Sequence, residues 1–197
     1  MIKLIDLIKE SNKILVPRRS PEERQKNFLI AIQRKIKKYI ADGGKGDLDL
    51  YNTPITSLPN DLSVGGNLNL YNTKITSLPN DLQVGGYLYL YDTPITSLPN
   101  DLQVGGSLYL TYTPITSLPN GLNVGGDLDL YETLITSLPN NLQVKGYLDL
   151  RNTPIISLPN NLQVKGDLLL RNTSISEKYT KEQIKQMYPG VKGNIHI

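Results

Sequence analysis

Apolar residues fall in a repeating order from Asp47 to Thr173. In one unit Leu82, Val84, Gly86, Leu88 and Leu90 share one parity, the period of a strand with one buried face. Thr93, Ile95 and Leu98 carry the inward line around a bend, and Pro99 with Asn100 turns the chain. The order returns every 20 residues: Leu58, Leu78, Leu98, Leu118, Leu138 and Leu158 are each followed by Pro-Asn. A fixed period of this size predicts a solenoid, in which each coil buries what no coil can bury alone.

Corresponding strands are expected at Asp47–Leu50, Asn67–Leu70, Tyr87–Leu90, Ser107–Leu110, Asp127–Leu130, Tyr147–Leu150 and Asp167–Leu170. Stacked in parallel at about 4.8 Å, they would form one sheet along one side. Glycine pairs at 65–66, 85–86, 105–106 and 125–126 mark a turn or a close approach to the neighbouring coil. Lys145 and Lys165 replace the first glycine in later units, so the second reads as the demanding one. Near the C-terminus, Val191 to Ile197 repeats the logic of Val164 to Leu170, which predicts an eighth strand at Asn194–Ile197. Between them Thr180 can cap a short helix from Lys181 to about Tyr188, ended by Pro189-Gly190.

The first 46 residues read differently. Ile2, Leu4, Ile5, Leu7 and Ile8 suggest a short amphipathic helix. After Val16-Pro17, Ser20-Pro21-Glu22-Glu23 has the form of a capping box with proline in the first turn. Phe28, Ile32, Ile36 and Ile40 then make an apolar stripe, and Asp42-Gly43-Gly44 ends the helix, which is expected from Pro21 to about Ala41. The expected class is an α/β repeat solenoid with a parallel sheet on one side and helices capping both ends. The organisation is a basic helical cap or anchor at 1–46, a solenoid at 47–175, and a cap helix with the eighth strand at 176–197.

The unit LxLxxTxIxxLPxxL, as in Leu88–Leu102, resembles the bacterial leucine-rich repeat of the 20-residue kind, LxLxxNxLxxLPxxL. Secreted bacterial ubiquitin ligases carry a similar repeat, and comparable arrays occur in phage and bacterial proteins. The resemblance covers about residues 47–175 and implies fold rather than activity. Thr53, Thr73, Thr93, Thr113, Thr133, Thr153 and Thr173 stand where that family has a ladder asparagine, and Val-Gly-Gly replaces its first strand leucine. These departures imply a flatter coil, and a β-helix-like description stays open.

Charge divides along the same boundaries. The net charge of +3 combines +7 on residues 1–46, −6 on 47–173 and +2 on 174–197. Arg18, Arg19, Arg34, Lys37 and Lys38 are candidate contacts for an anionic partner, nucleic acid included, although a solvated face on a capping helix explains them equally. No aromatic residues interleave with them, as a single-strand binder would want. Lys3, Asp6, Lys9 and Glu10 interrupt the first apolar run, so neither a signal peptide nor a membrane span is expected. A cytoplasmic place, or one within a phage particle or infected host cell, is the corresponding expectation.

No catalytic constellation emerges. The chain has no cysteine and one histidine, His196, which excludes thiolate chemistry and leaves a histidine-based triad without partners. The ubiquitin-ligase activity of the similar secreted proteins needs a separate domain with a catalytic cysteine. Asp47/Asp49 and Asp127/Asp129 lack the contrast in environment that a glycosidase pair requires, and no acidic loop is dense enough for calcium. No cofactor or metal site is expected. A polymer- or ice-binding reading rests on the column Thr56, Thr76, Thr96, Thr116 and Thr136, which ends at Ile156.

Near-copies show which positions vary. The outward strand positions do, and in leucine-rich repeats these line the concave binding face. Tyr51, Tyr71, Tyr87, Tyr89, Tyr91, Tyr109, Tyr131, Asp129, Asp149, Arg151 and Arg171 are the candidate partner-binding residues. Tyrosine and arginine are enriched at interface hot spots, while tyrosine is also simply a good strand residue. The expected function is a non-enzymatic protein–protein interaction module. The alternative is a structural or assembly protein, of a phage particle for instance, attached through its basic head.

Overall fold

The computed structural model describes residues 20–197, so the helix expected in the first dozen residues, with Arg18 and Arg19, lies outside the described residues. Helix α1 (Pro21–Ala41) leads into β1 (Leu48–Asp49), β2 (Ser63–Val64), β3 (Leu68–Asn69), β4 (Gln83–Val84), β5 (Leu88–Tyr89) and β6 (Gln103–Val104). The alternation continues through β7 (Leu108–Tyr109), β8 (Asn123–Val124), β9 (Leu128–Asp129), β10 (Gln143–Val144), β11 (Leu148–Asp149), β12 (Gln163–Val164) and β13 (Leu168–Leu169). Two short helices, α2 (Ser174–Lys178) and α3 (Lys181–Met187), precede β14 (Ile195–His196).

The chain is a parallel β-solenoid with a 20-residue period. Its strands form two parallel sheets instead of the single one expected: β1-β3-β5-β7-β9-β11-β13-β14 on one side, and β2-β4-β6-β8-β10-β12 on another. The four-residue strands expected at each repeat are two residues long, and the glycine pair turns a corner that separates each from a second strand before it, as Gln83–Val84 precedes Leu88–Tyr89. Val84 and Leu88 therefore point into one core from two different walls. Register advances by one repeat at each step, as in Leu48↔Leu68 and Leu68↔Leu88.

Inside, residues stack on their own equivalents. Leu68, Leu88, Leu108, Leu128, Leu148 and Leu168 are fully buried, as are Ile75, Ile95, Ile115, Ile135 and Ile155. The threonine column is also internal: Thr73 donates its hydroxyl to Leu70 O at 2.8 Å and Thr113 donates to Leu110 O at 2.6 Å. Each hydroxyl is thus satisfied within its own turn, which permits a polar column inside an apolar core.

The third side of the coil carries few ladder bonds, for a covalent reason. Pro54, Pro94, Pro114 and Pro154 have no N–H to donate. Where the repeat has Lys74 or Leu134 instead, the bond appears: Lys74 N to Ile55 O at 3.0 Å and Leu134 N to Ile115 O at 3.1 Å.

Helix α1 has the expected bounds and the expected capping box, with Ser20 Oγ accepting from Glu23 N at 3.1 Å and Glu23 Oε2 from Ser20 N at 2.9 Å. Ile32 and Ile36 bury against the first coil, whereas Phe28 stays exposed and does not join them. Lys35 Nζ donates to Asp49 O, and the Tyr39 hydroxyl lies 2.6 and 2.7 Å from the carbonyls of Gly44 and Gly46. No described helix is long and apolar enough to cross a membrane.

Neighbouring coils touch most closely at the glycines. Gly66 N donates to Gly46 O at 2.8 Å, Gly86 N to Gly66 O at 2.9 Å and Gly166 N to Gly146 O at 2.9 Å. A Cβ on Gly166 would lie 2.6 Å from Gly146 C. The first glycines are tight as well, since a Cβ on Gly105 would lie 2.3 Å from Gly85 O, yet Lys145 and Lys165 fit at the equivalent place two and three coils on. Gly166→Ala is expected to cost about 1–3 kcal/mol, whereas Lys165→Ala should stay within about 0.5 kcal/mol, read from urea midpoints.

The turn position after each strand of the β1 sheet, up to β13, is left-handed: Asn52, Asn72, Asp92, Tyr112, Glu132, Asn152 and Asn172 have φ between 51° and 59°. Asn and Asp adopt this region at lower cost than tyrosine. Tyr112→Asn should therefore raise stability by about 1 kcal/mol, seen as a higher melting temperature.

Candidate binding face

On the sheet that begins with β1, inward leucines fix which side chains face outward. Adjacent coils bring the tyrosines of the central repeats ring to ring. Tyr89 and Tyr109 stack with centroids 5.1 Å apart and planes 2° apart, and Tyr91 lies 5.5 Å from Tyr109. Tyr87 meets both Tyr89 and Tyr109 edge-on, while Tyr51 stacks on Tyr71, whose edge meets Tyr91. These six rings form one continuous aromatic surface. Tyr51 and Tyr87 are exposed and the other four half-buried.

Tyr131 belongs to a separate cluster. Tyr112 meets its ring edge-on, and the Arg151 guanidinium sits 5.3 Å above it. Arg151 is held by Asp149 through a bidentate pair, Nε–Oδ1 at 2.9 Å and Nη2–Oδ2 at 2.6 Å, which raises the already high pKa of the arginine. Asp149 itself is buried. The structure therefore places Asp149 beneath the face, not on it.

Several variable carboxylates and amides share structural jobs that their variability hides. In one column Asp47, Asn67, Ser107, Asp127 and Asp167 each accept the amide of the next coil, as Asn67 N to Asp47 Oδ1 at 2.7 Å and Asp127 N to Ser107 Oγ at 2.9 Å. In the next column Asp49, Asn69, Asp129 and Asp149 accept the amide two residues ahead, closing the turn after the strand. Asp129 also accepts from the Thr111 hydroxyl at 2.8 Å. Burial pushes its pKa up, against the pull of the Tyr131 amide and that hydroxyl.

Two tyrosines flank that carboxylate. Burial raises the pKa of Tyr91 and of Tyr147, and the Asp129 charge adds to both. Tyr147 was not among the residues singled out from the sequence, although its outward parity was visible there. It also borders a groove of about 530 Å³ with Arg151, Asp167, Arg171, Lys181 and His196. His196 Nε2 lies 2.9 Å from Asp167 Oδ2, and this hydrogen bond holds the Asp167 carboxyl below its ordinary value. Lys181 stands on α3 and His196 on β14, close to the helix and the eighth strand expected there, but their meeting with Tyr147 and Arg171 in one groove was not expected.

A larger concavity, about 700 Å³, runs along the other sheet over Gly65, Gly85, Gly105 and Gly125 and stops at Lys145. Missing side chains give it its volume. Arg34, Lys37 and Lys38 are exposed on α1, and Lys38 pairs with Asp42 at 2.6 Å. Among the described residues no group of three or more His, Asp or Glu side chains gathers as metal ligands would. No protein-family model and no curated protein matches this chain.

The raised tyrosines give a pH dependence with a defined sign. Folding favours their protonated form, so their contribution is complete below an unfolded tyrosine pKa of about 10 and is lost as pH rises toward the folded values. Near-ultraviolet absorbance titration should show a late-ionising class that Tyr91→Phe and Tyr147→Phe remove. The double variant should also lose less stability on moving above about pH 10.

Proposed function

We propose that this chain is a non-enzymatic, leucine-rich-repeat-like interaction module that binds a protein partner through its tyrosine face. The stacked array of Tyr89 and Tyr109, bordered by Tyr87 and Tyr91, carries this reading. Rings already held by neighbours lose little rotamer freedom on contact, while their hydroxyls remain available at the surface. Rigid aromatic area of this kind is what interface hot spots are made of. Tyr51 and Tyr71 extend the contact toward the first coil.

The leucine-rich-repeat likeness is supported by the Leu, Ile and Leu-Pro positions all facing one core and by threonine hydroxyls bonded within the turn where that family has asparagine. The second sheet is the feature that sets this coil apart from the simplest form of that repeat.

Affinity capture from the native host with the full chain, followed by calorimetry on the purified partner, tests the proposal. Tyr89→Ala combined with Tyr109→Ala should weaken binding by about 30-fold or more, since hot-spot truncations cost about 2 kcal/mol or more. Unchanged affinity in a variant that melts normally would remove the tyrosine face from consideration.

A further inference from the structure

The fold asks less of two outward carboxylates than they supply. Asp127 Oδ1 accepts Tyr147 N at 2.9 Å, and Asp129 Oδ1 accepts Tyr131 N at 2.9 Å and the Thr111 hydroxyl at 2.8 Å. At the equivalent places Asn67 Oδ1 takes Tyr87 N at 2.7 Å and Asn69 Oδ1 takes Tyr71 N at 3.1 Å. A neutral amide therefore closes the same backbone bonds, and the negative charge of Asp127 and Asp129 is surplus to them. Among the described residues neither carboxylate forms an ion pair, and no donor meets either Oδ2.

That charge stands where water serves it poorly. Asp129 lies in register between Tyr109 and Asp149 and shares a groove with Tyr147. Burial works against its ionised form, and its charge in turn reaches Tyr91 and Tyr147. An unpaired charge so placed is costly until a cation meets it. The next coil shows what this face does with a guanidinium. Asp149, in the same column, holds Arg151 in a bidentate pair while the guanidinium lies 5.3 Å over the Tyr131 ring. One coil earlier the residue at the arginine position is Tyr131, so Asp129 has tyrosines around it and no arginine of its own.

The charge of the surrounding face has one sign. The outward strand positions of the first five coils carry Asp47, Asp49, Asp127 and Asp129 and no lysine or arginine. Lys35 of α1 reaches the Asp49 carbonyl at the first coil, four coils from Asp127 and Asp129. Arg171 and Lys181 border the groove from the seventh coil and α3, so a visiting cation is favoured only at its Asp129 end. We propose that Asp127 and Asp129, with the tyrosines beside them, take up an arginine-bearing segment of the protein partner, as Asp149 takes up Arg151. A guanidinium can meet a carboxylate in its plane and an aromatic ring on its face, which an ammonium does less well. This inference rests on the tyrosine-face reading and names the chemistry of the partner.

A short fluorescein-labelled peptide of alternating Arg and Gly is the probe, titrated with the full chain by fluorescence anisotropy. It should bind, its Lys/Gly counterpart about threefold or more weakly, and its Glu/Gly counterpart not at all. Asp127→Asn with Asp129→Asn keeps both backbone acceptors, as Asn67 and Asn69 do, and should weaken binding by about tenfold. Asp61→Asn with Asp101→Asn makes the same change of net charge on exposed turns before the second sheet, and should leave binding unchanged. Arg171→Ala with Lys181→Ala should not weaken it, since both cations oppose the peptide. Absence of binding, equal binding of the Lys or Glu peptide, or equal losses in the two aspartate pairs would overturn the proposal, the last because net charge alone would then be the cause. Calorimetry on the purified native partner separates this inference from the reading beneath it. Affinity lost with Tyr89→Ala and Tyr109→Ala but kept with Asp127→Asn and Asp129→Asn retains the tyrosine face and removes its arginine site; affinity kept with the tyrosine pair removes the face itself.

Discussion

Coil-to-coil contact at the glycine corner is the constraint from which the remaining geometry follows. Amide and carbonyl of successive coils meet there at 2.8 to 3.0 Å, with no room for a side chain between them. That approach brings equivalent residues one strand spacing apart all along the coil. Leucine then stacks on leucine, each threonine turn on the next, and aromatic rings from adjacent coils arrive near van der Waals contact. The close stack of Tyr89 on Tyr109 is thus a surface consequence of a backbone contact on the neighbouring corner of the coil.

The periodic core was legible because inward positions admit few substitutions. Leu, Ile and Leu-Pro recur where the fold has no space for alternatives, and the expected inward Leu, Val and Ile columns are internal. The number of sheets was not legible in the same way. A run of shared parity such as Leu82 to Leu90 reads identically whether it is one strand or two that meet at a corner, since both send the same side chains inward. Bending at the glycine pair decides the matter, and only the neighbouring coil shows how far the chain bends.

Outward positions were harder to read for a related reason. Variation among repeats suggested freedom, yet Asp, Asn and Ser in one column are interchangeable because each offers an oxygen to the next coil's amide. Asp149, in the next column, also stands among varying positions and is buried beneath Arg151. The tyrosines differ from them in having no such backbone partner, and their grouping into one surface was visible from spacing alone. Tyr147, Lys181 and His196 were not read as one site because their meeting depends on how an irregular final coil folds.

Proline on the third side leaves the coils zipped along two walls while the third is held chiefly by the packing of Ile and Leu. Each repeat is nearly self-sufficient in its bonds to the neighbours above and below, and those bonds are the same at almost every step. The array is therefore a ruler with one graduation per coil. Losing or gaining a whole 20-residue unit preserves every internal partner while moving the tyrosine surface relative to the terminal groove by about 4.8 Å. Length, in such a molecule, is a variable that selection can adjust in fixed steps without redesigning the core.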